Sequence, residues 1–79
     1  QLLTQIHYQL KADGAVSLKV YNLAGQLVRT LVDGRQPSGA HSVHWNGRND
    51  AGQSAANGVY VYRLAVNGFT GIRKIVIIK

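Results

Sequence analysis

The sequence predicts an all-β fold, a sandwich of six or seven short antiparallel strands, and three observations carry the prediction. Apolar and polar residues alternate with a period of two in most segments between turns. Glycine and asparagine punctuate the chain at the regular intervals expected of strands joined by tight turns. No segment carries the helical period of an amphipathic α-helix.

Taken in order, Ile6, Tyr8 and Leu10 alternate with Gln5, His7 and Gln9, which gives a half-buried first strand over residues 4–10. Asp13-Gly14 is a turn signal, and Val16, Leu18 and Val20 then alternate with Ser17, Lys19 and Tyr21. The first two strands are therefore expected to form a hairpin. Residues 22–25, Asn-Leu-Ala-Gly, supply the left-handed backbone of a tight turn before a third strand over residues 26–32. Leu27, Val28, Leu31 and Val32 place apolar groups on both faces of that strand, so it is either covered on both sides or bulged.

Residues 33–39 hold the only proline and read as a loop. His41, Val43 and Trp45 share one face of the next strand, with Trp45 as its core anchor. Residues 46–58, rich in Asn, Gly, Ala and Ser, form a long connection with at most a short strand near 53–55. Tyr60, Tyr62 and Leu64 line one face of a strand over residues 59–66, Asn67-Gly68 closes a hairpin, and the last strand runs over residues 72–78. The expected core is Val20, Val43, Trp45, Tyr60, Tyr62 and Leu64. No internal repeat or linker is evident, so residues 1–79 are expected to form a single domain.

The run Gly58-Val59-Tyr60-Val61-Tyr62 has the spacing of a tyrosine corner, in which a Tyr opening a late strand sends its hydroxyl back to upstream backbone. Ala56 stands where that motif often begins with Asp. The alternative for Tyr60 is an ordinary half-buried strand aromatic. With the corner, the sandwich reads as immunoglobulin-like.

Composition bounds what such a domain does. At 79 residues there is room for one core, and 46% hydrophobic against 15% charged residues places the chain among globular domains. Without cysteine there is no disulfide, thiolate metal site or thiol nucleophile. No apolar run reaches the length of a membrane span, so the chain is not expected to cross one. Because it begins with Gln1 rather than Met, it is expected to be a processed product or an excised domain. The formal charge of +6 suits an anionic partner such as an acidic polysaccharide or lipopolysaccharide. Its nine cations are spread over nearly every strand rather than clustered beside stacking aromatics, which argues against nucleic acid and for solvated faces and guarded strand edges.

The inventory for catalysis is poor. Asp13, Asp33 and Asp50 each fall in an expected turn, where Asp bonds local backbone. His41 and His44, three apart on a strand, face opposite ways, so with His7 they are not expected to share a metal. The serines lack the strand-to-helix turn of a nucleophile elbow. Residues 46–52 gather oxygen ligands but lack the alternating acids and distal Glu of a calcium loop. No enzyme activity and no cofactor are expected.

The ordered set Leu18-Lys19-Val20-Tyr21-Asn22, Gly25 with Leu27-Val28-Arg29, Gly39 through His41, Val43 and Trp45-Asn46-Gly47-Arg48, Asp50 and Gly52, and Gly58 through Leu64 resembles two related families. One is the immunoglobulin-like domain of flagellar hook-capping proteins. The other, favoured by the ending Arg73-Lys74-Ile75-Val76-Ile77-Ile78-Lys79, is the C-terminal sorting domain of the type IX secretion system. The usual Asn-Pro element before the first strand is absent, and Asn46 and Asn49 replace acids common in the loop. The resemblance implies a non-catalytic sorting or anchoring domain of a protein at the bacterial cell surface, read by outer-membrane secretion machinery through residues 73–79 by strand addition. The alternatives are a structural subunit or cap of an extracellular filament, assembling with copies of itself, and a surface glycan-binding module.

Overall fold

Period-two alternation turns into six strands in the computed structural model, which describes residues 4–78: β1 (Thr4–Leu10), β2 (Gly14–Asn22), β3 (Leu27–Gln36), β4 (Gly39–Trp45), β5 (Gly58–Val66) and β6 (Phe69–Ile77). A two-stranded sheet, β1-β4, lies over a four-stranded sheet in the order β3-β2-β5-β6, and all pairs are antiparallel. The architecture is an immunoglobulin-like β-sandwich.

Inward-facing residues of both sheets meet in one cluster: Ile6 and Trp45 from the small sheet, with Leu18, Val20, Tyr60, Ile75 and Ile77 from the large one. Val20, Trp45 and Tyr60 are buried, while Val43, Tyr62 and Leu64 are half-buried and pack against the cluster. Trp45 is 1% exposed and meets Tyr60 edge to face, ring centroids 5.5 Å apart at 73°. That geometry sets the positive ring edge on the negative face and adds to the burial of both rings.

The expected β1–β2 hairpin does not form. β1 pairs with β4 from Thr4↔Trp45 to Leu10↔Gly39, and β2 pairs instead with β3 and β5. The Asp13-Gly14 signal serves a crossing between layers. Asp13 Oδ1 accepts the Ser38 N–H at 2.7 Å, and the Asp13 carbonyl accepts Asn67 Nδ2 at 3.3 Å, so this corner is tied to two distant turns. Gly14 lies so close to the Asn67 side chain that any Cβ there would overlap it.

The third strand is also longer than its composition suggests. Residues 33–36 are ladder, pairing with Ser17, Val16, Ala15 and Gly14, and the loop shrinks to Pro37-Ser38. Register shifts between Leu18 and Lys19 and between Val20 and Tyr21 leave Leu31 and Val28 as extra residues on β3. Each such bulge resets the alternation, which is how Val28, Leu31 and Val32 all come to pack on the core. The last strand starts earlier than expected: the Asn67-Gly68 turn, with φ of 48° and 79°, hands directly to Phe69.

Candidate functional site

One local sequence occurs twice. Asn22-Leu23-Ala24-Gly25-Gln26 and Asn49-Asp50-Ala51-Gly52-Gln53 build the same turn. In the first, Asn22 Oδ1 accepts the N–H groups of Ala24 and Gln26, each at 3.0 Å, and Asn22 Nδ2 donates to Gln26 Oε1 at 2.9 Å. In the second, Asn49 Oδ1 accepts from Ala51 at 3.0 Å and Gln53 at 2.9 Å, and Asn49 Nδ2 donates to Gln53 Oε1 at 3.3 Å. Both glycines need left-handed backbone, with φ of 84° at Gly25 and 83° at Gly52. The expectation of no internal repeat is thus corrected at the scale of five residues. The two turns line one open groove, with Val28, Ala55 and Tyr60 between them. Their side-chain amides are engaged within the turns themselves, so the groove is a structural seam.

The second turn belongs to a loop that guards the outer edge of β3. Asp50 N–H donates to the Val28 carbonyl at 3.0 Å, and Asp50 Oδ1 accepts the Thr30 N–H at 3.1 Å. Arg29 Nη1 adds a bond to the Asn49 carbonyl at 3.3 Å, and its Nε lies 3.8 Å from Asp50 Oδ1. Both ion-pair partners are substantially exposed, so solvent screens the charge contribution and the backbone bonds do most of the holding. The loop is anchored at its two ends. Trp45 Nε1 donates to the Arg48 carbonyl at 2.9 Å, and the Tyr60 hydroxyl donates to the Ala56 carbonyl at 2.6 Å. The latter is the tyrosine corner. Because the acceptor is backbone, Ala56 serves as well as Asp. Within the loop the short strand expected near residues 53–55 is a single bridge, Arg48↔Ser54.

Four titratable side chains are engaged structurally. Asp13 and Asp50 hold backbone N–H groups. His41 stacks on Tyr8, centroids 5.4 Å apart, with Nε2 2.7 Å from the Pro37 carbonyl. Tyr8 donates to Gln36 Oε1, and burial raises its hydroxyl pKa above the ordinary 10.0 despite the opposing effect of that bond. Among the described residues no three His, Asp or Glu gather as metal ligands.

Of the expected recognition residues, Ile75 and Ile77 are buried in the core, whereas Arg73, Lys74, Val76 and Ile78 are exposed. Lys79 lies outside the described residues. Lys74 sits opposite Val61 and Val76 opposite Val59 on the outward face of the large sheet, where Lys19 stands directly across from Arg63. Sequence reasoning missed this cationic pair, which becomes visible only once the β2–β5 register is known.

Comparison with known proteins decides between the two resemblances. Residues 4–68 match the model of the FlgD Ig-like domain. The chain belongs to this family. The crystal structure of FlgD from P. aeruginosa superposes with a TM-score of 0.69 at 23% identity, covering 95% of this chain. The FlgD-like domain spans 61% of that solved chain. No curated protein matches the sequence. The hook-capping branch of the resemblance therefore stands, and the type IX sorting branch has no support. Recognition by secretion machinery and binding of polysaccharide or lipopolysaccharide are likewise unsupported. The expected location at the bacterial cell surface is overturned, since the family matched is that of FlgD, a flagellar hook-capping protein, and not that of a cell-surface sorting domain.

Proposed function

We propose that this FlgD-like domain is a structural, non-catalytic part of a hook-capping assembly and acts as one unit over residues 1–79, through its surface rather than through a reaction. The observation that carries this reading is the family match over residues 4–68, which runs through the tryptophan loop and the Gly-Val-Tyr strand. The chemistry of the acids supports it. Asp13 and Asp50 are committed to backbone N–H groups that hold turns and a strand edge, a rigidifying role suited to a scaffold. The partners implied are copies of the parent protein and the subunits of the filament it caps.

The test is genetic. Deleting the segment encoding this domain from its parent protein, with the remainder still exported, is expected to leave cells without completed hooks by electron microscopy. Hooks of normal length and number in that strain would overturn the reading.

A further inference from the structure

We propose that the outer edge of β6 is a docking site for an extended, acidic segment of a partner protein, which joins the large sheet as a fifth strand. The inference stands on strand geometry and charge, and survives if the domain serves an assembly other than a hook.

β6 ends the strand order β3-β2-β5-β6, and among the described residues nothing pairs with its outer side. Its nine-residue ladder with β5 runs from Val66↔Phe69 to Gly58↔Ile77 with no register shift and contains no proline. Natural sheets blunt such edges with bulges, prolines, covering loops or charged side chains, because an unpaired row of N–H and C=O groups templates another strand; of these β6 carries only charge, Arg73 and Lys74, which repels a basic strand and admits an acidic one. A two-residue hairpin loop closes on a hydrogen-bonded pair, here Val66 and Phe69, so alternation turns the backbone groups of Thr70, Ile72, Lys74 and Val76 outward. The side chains agree. Four of the six exposed large hydrophobic residues, Phe69, Ile72, Val76 and Ile78, belong to this strand or follow it directly.

Charge selects the occupant. Arg73 is the middle residue of Phe69–Ile77, with Lys74 beside it. A second copy pairing antiparallel along the whole edge would set Arg73 against Arg73, and like charges directly opposite are destabilising. The chain as a whole, at +6, repels its own kind. On the outward face the cross-strand pair Lys19 and Arg63, with Lys74 on the neighbouring strand, adds positive potential with no acid among their direct cross-strand partners. A strand with acids facing Arg73 and Lys74 and apolar residues facing Ile72 and Val76 satisfies both the ladder and the charge, with main-chain bonds supplying affinity and side chains selectivity.

The probe is a capped eight-residue peptide of valine and threonine with two adjacent central glutamates, compared with the same peptide carrying lysines there. Amide hydrogen exchange of the full chain is read by NMR. The glutamate peptide is expected to slow exchange at Thr70, Ile72, Lys74 and Val76 by about tenfold or more, and the lysine peptide to leave it unchanged. Ile72→Pro removes one outward N–H while sparing the β5–β6 ladder, and is expected to weaken peptide binding by about tenfold. Should that variant fail to fold, Lys74→Glu is expected to transfer the preference to the lysine peptide. No protection of β6 by the glutamate peptide, equal protection by both peptides, or a concentration-dependent dimer that buries the β6 edge would overturn the proposal.

Discussion

The two outer strands of the large sheet meet their surroundings in opposite ways. β3 is bulged twice, and its free side is covered by the loop carrying Asn49 and Asp50, which takes up the Val28 carbonyl and the Thr30 N–H. Its far end is tied to the small sheet by Tyr8 and Gln36. β6 has a straight register, no covering loop among the described residues, and exposed Ile72 and Val76. The same sheet thus has one edge closed by its own chain and one left open. On β6 the one guarding device is charge, Arg73 and Lys74, which repels a basic strand but not an acidic one.

The largest expected effect breaks the guard from inside. Trp45→Ala removes a fully buried ring and the N–H that anchors Arg48, and is expected to cost about 3–5 kcal/mol by urea unfolding. Trp45→Phe keeps most of the burial and removes only the anchor. In that variant exchange of the Thr30 amide is expected to accelerate more than exchange of the inward-facing amides of β6. Equal acceleration at both strands would show that the loop does not depend on Trp45 and would remove the inner half of the comparison.

A pair of prolines sharpens the contrast between the edges. Thr30→Pro deletes an N–H bonded to Asp50, whereas Ile72→Pro deletes one with no partner among the described residues. The first is expected to cost about 1–2 kcal/mol and the second no more than about 0.5 kcal/mol, read as denaturation midpoints at constant m. If the two midpoints fall together, the two edges are energetically alike.

How much of this was legible in the sequence follows from the range of the interactions. Strands set by local alternation were readable: β1, β4 and β5 fall where Ile6, Val43 and Tyr60 place them. The tyrosine corner was readable because its spacing is short and its acceptor is backbone. Pairing was not. Asp13-Gly14 has the composition of a hairpin turn, and only contacts with Ser38 and Asn67, far along the chain, turn it into a crossing between layers. Residues 33–36 have loop composition but become strand because β2 offers them partners. The twin Asn-x-Ala-Gly-Gln turns are present in the letters, but five residues fall far below the period of a repeat architecture. The cationic pair Lys19 and Arg63 lies 44 positions apart and is brought together only by register.

The smallest expected effect concerns the second tie on β3. Burial holds the Tyr8 hydroxyl pKa above its ordinary value of 10.0 in the folded chain. Below pH 10 both folded and unfolded states keep the proton, and the group contributes nothing to the pH dependence of stability. As pH rises past 10 the unfolded chain ionises first, so fewer protons are bound in the unfolded state and stability falls until the folded Tyr8 also ionises. Tyr8→Phe removes this contribution while leaving every lysine in place. Its stability profile above pH 10, taken from urea midpoints, is therefore expected to be flatter than that of the parent. Parallel profiles would mean that Tyr8 ionises equally well in both states, and that β3 is held at this end by packing against His41 and the small sheet rather than by the half-buried Tyr8 hydroxyl.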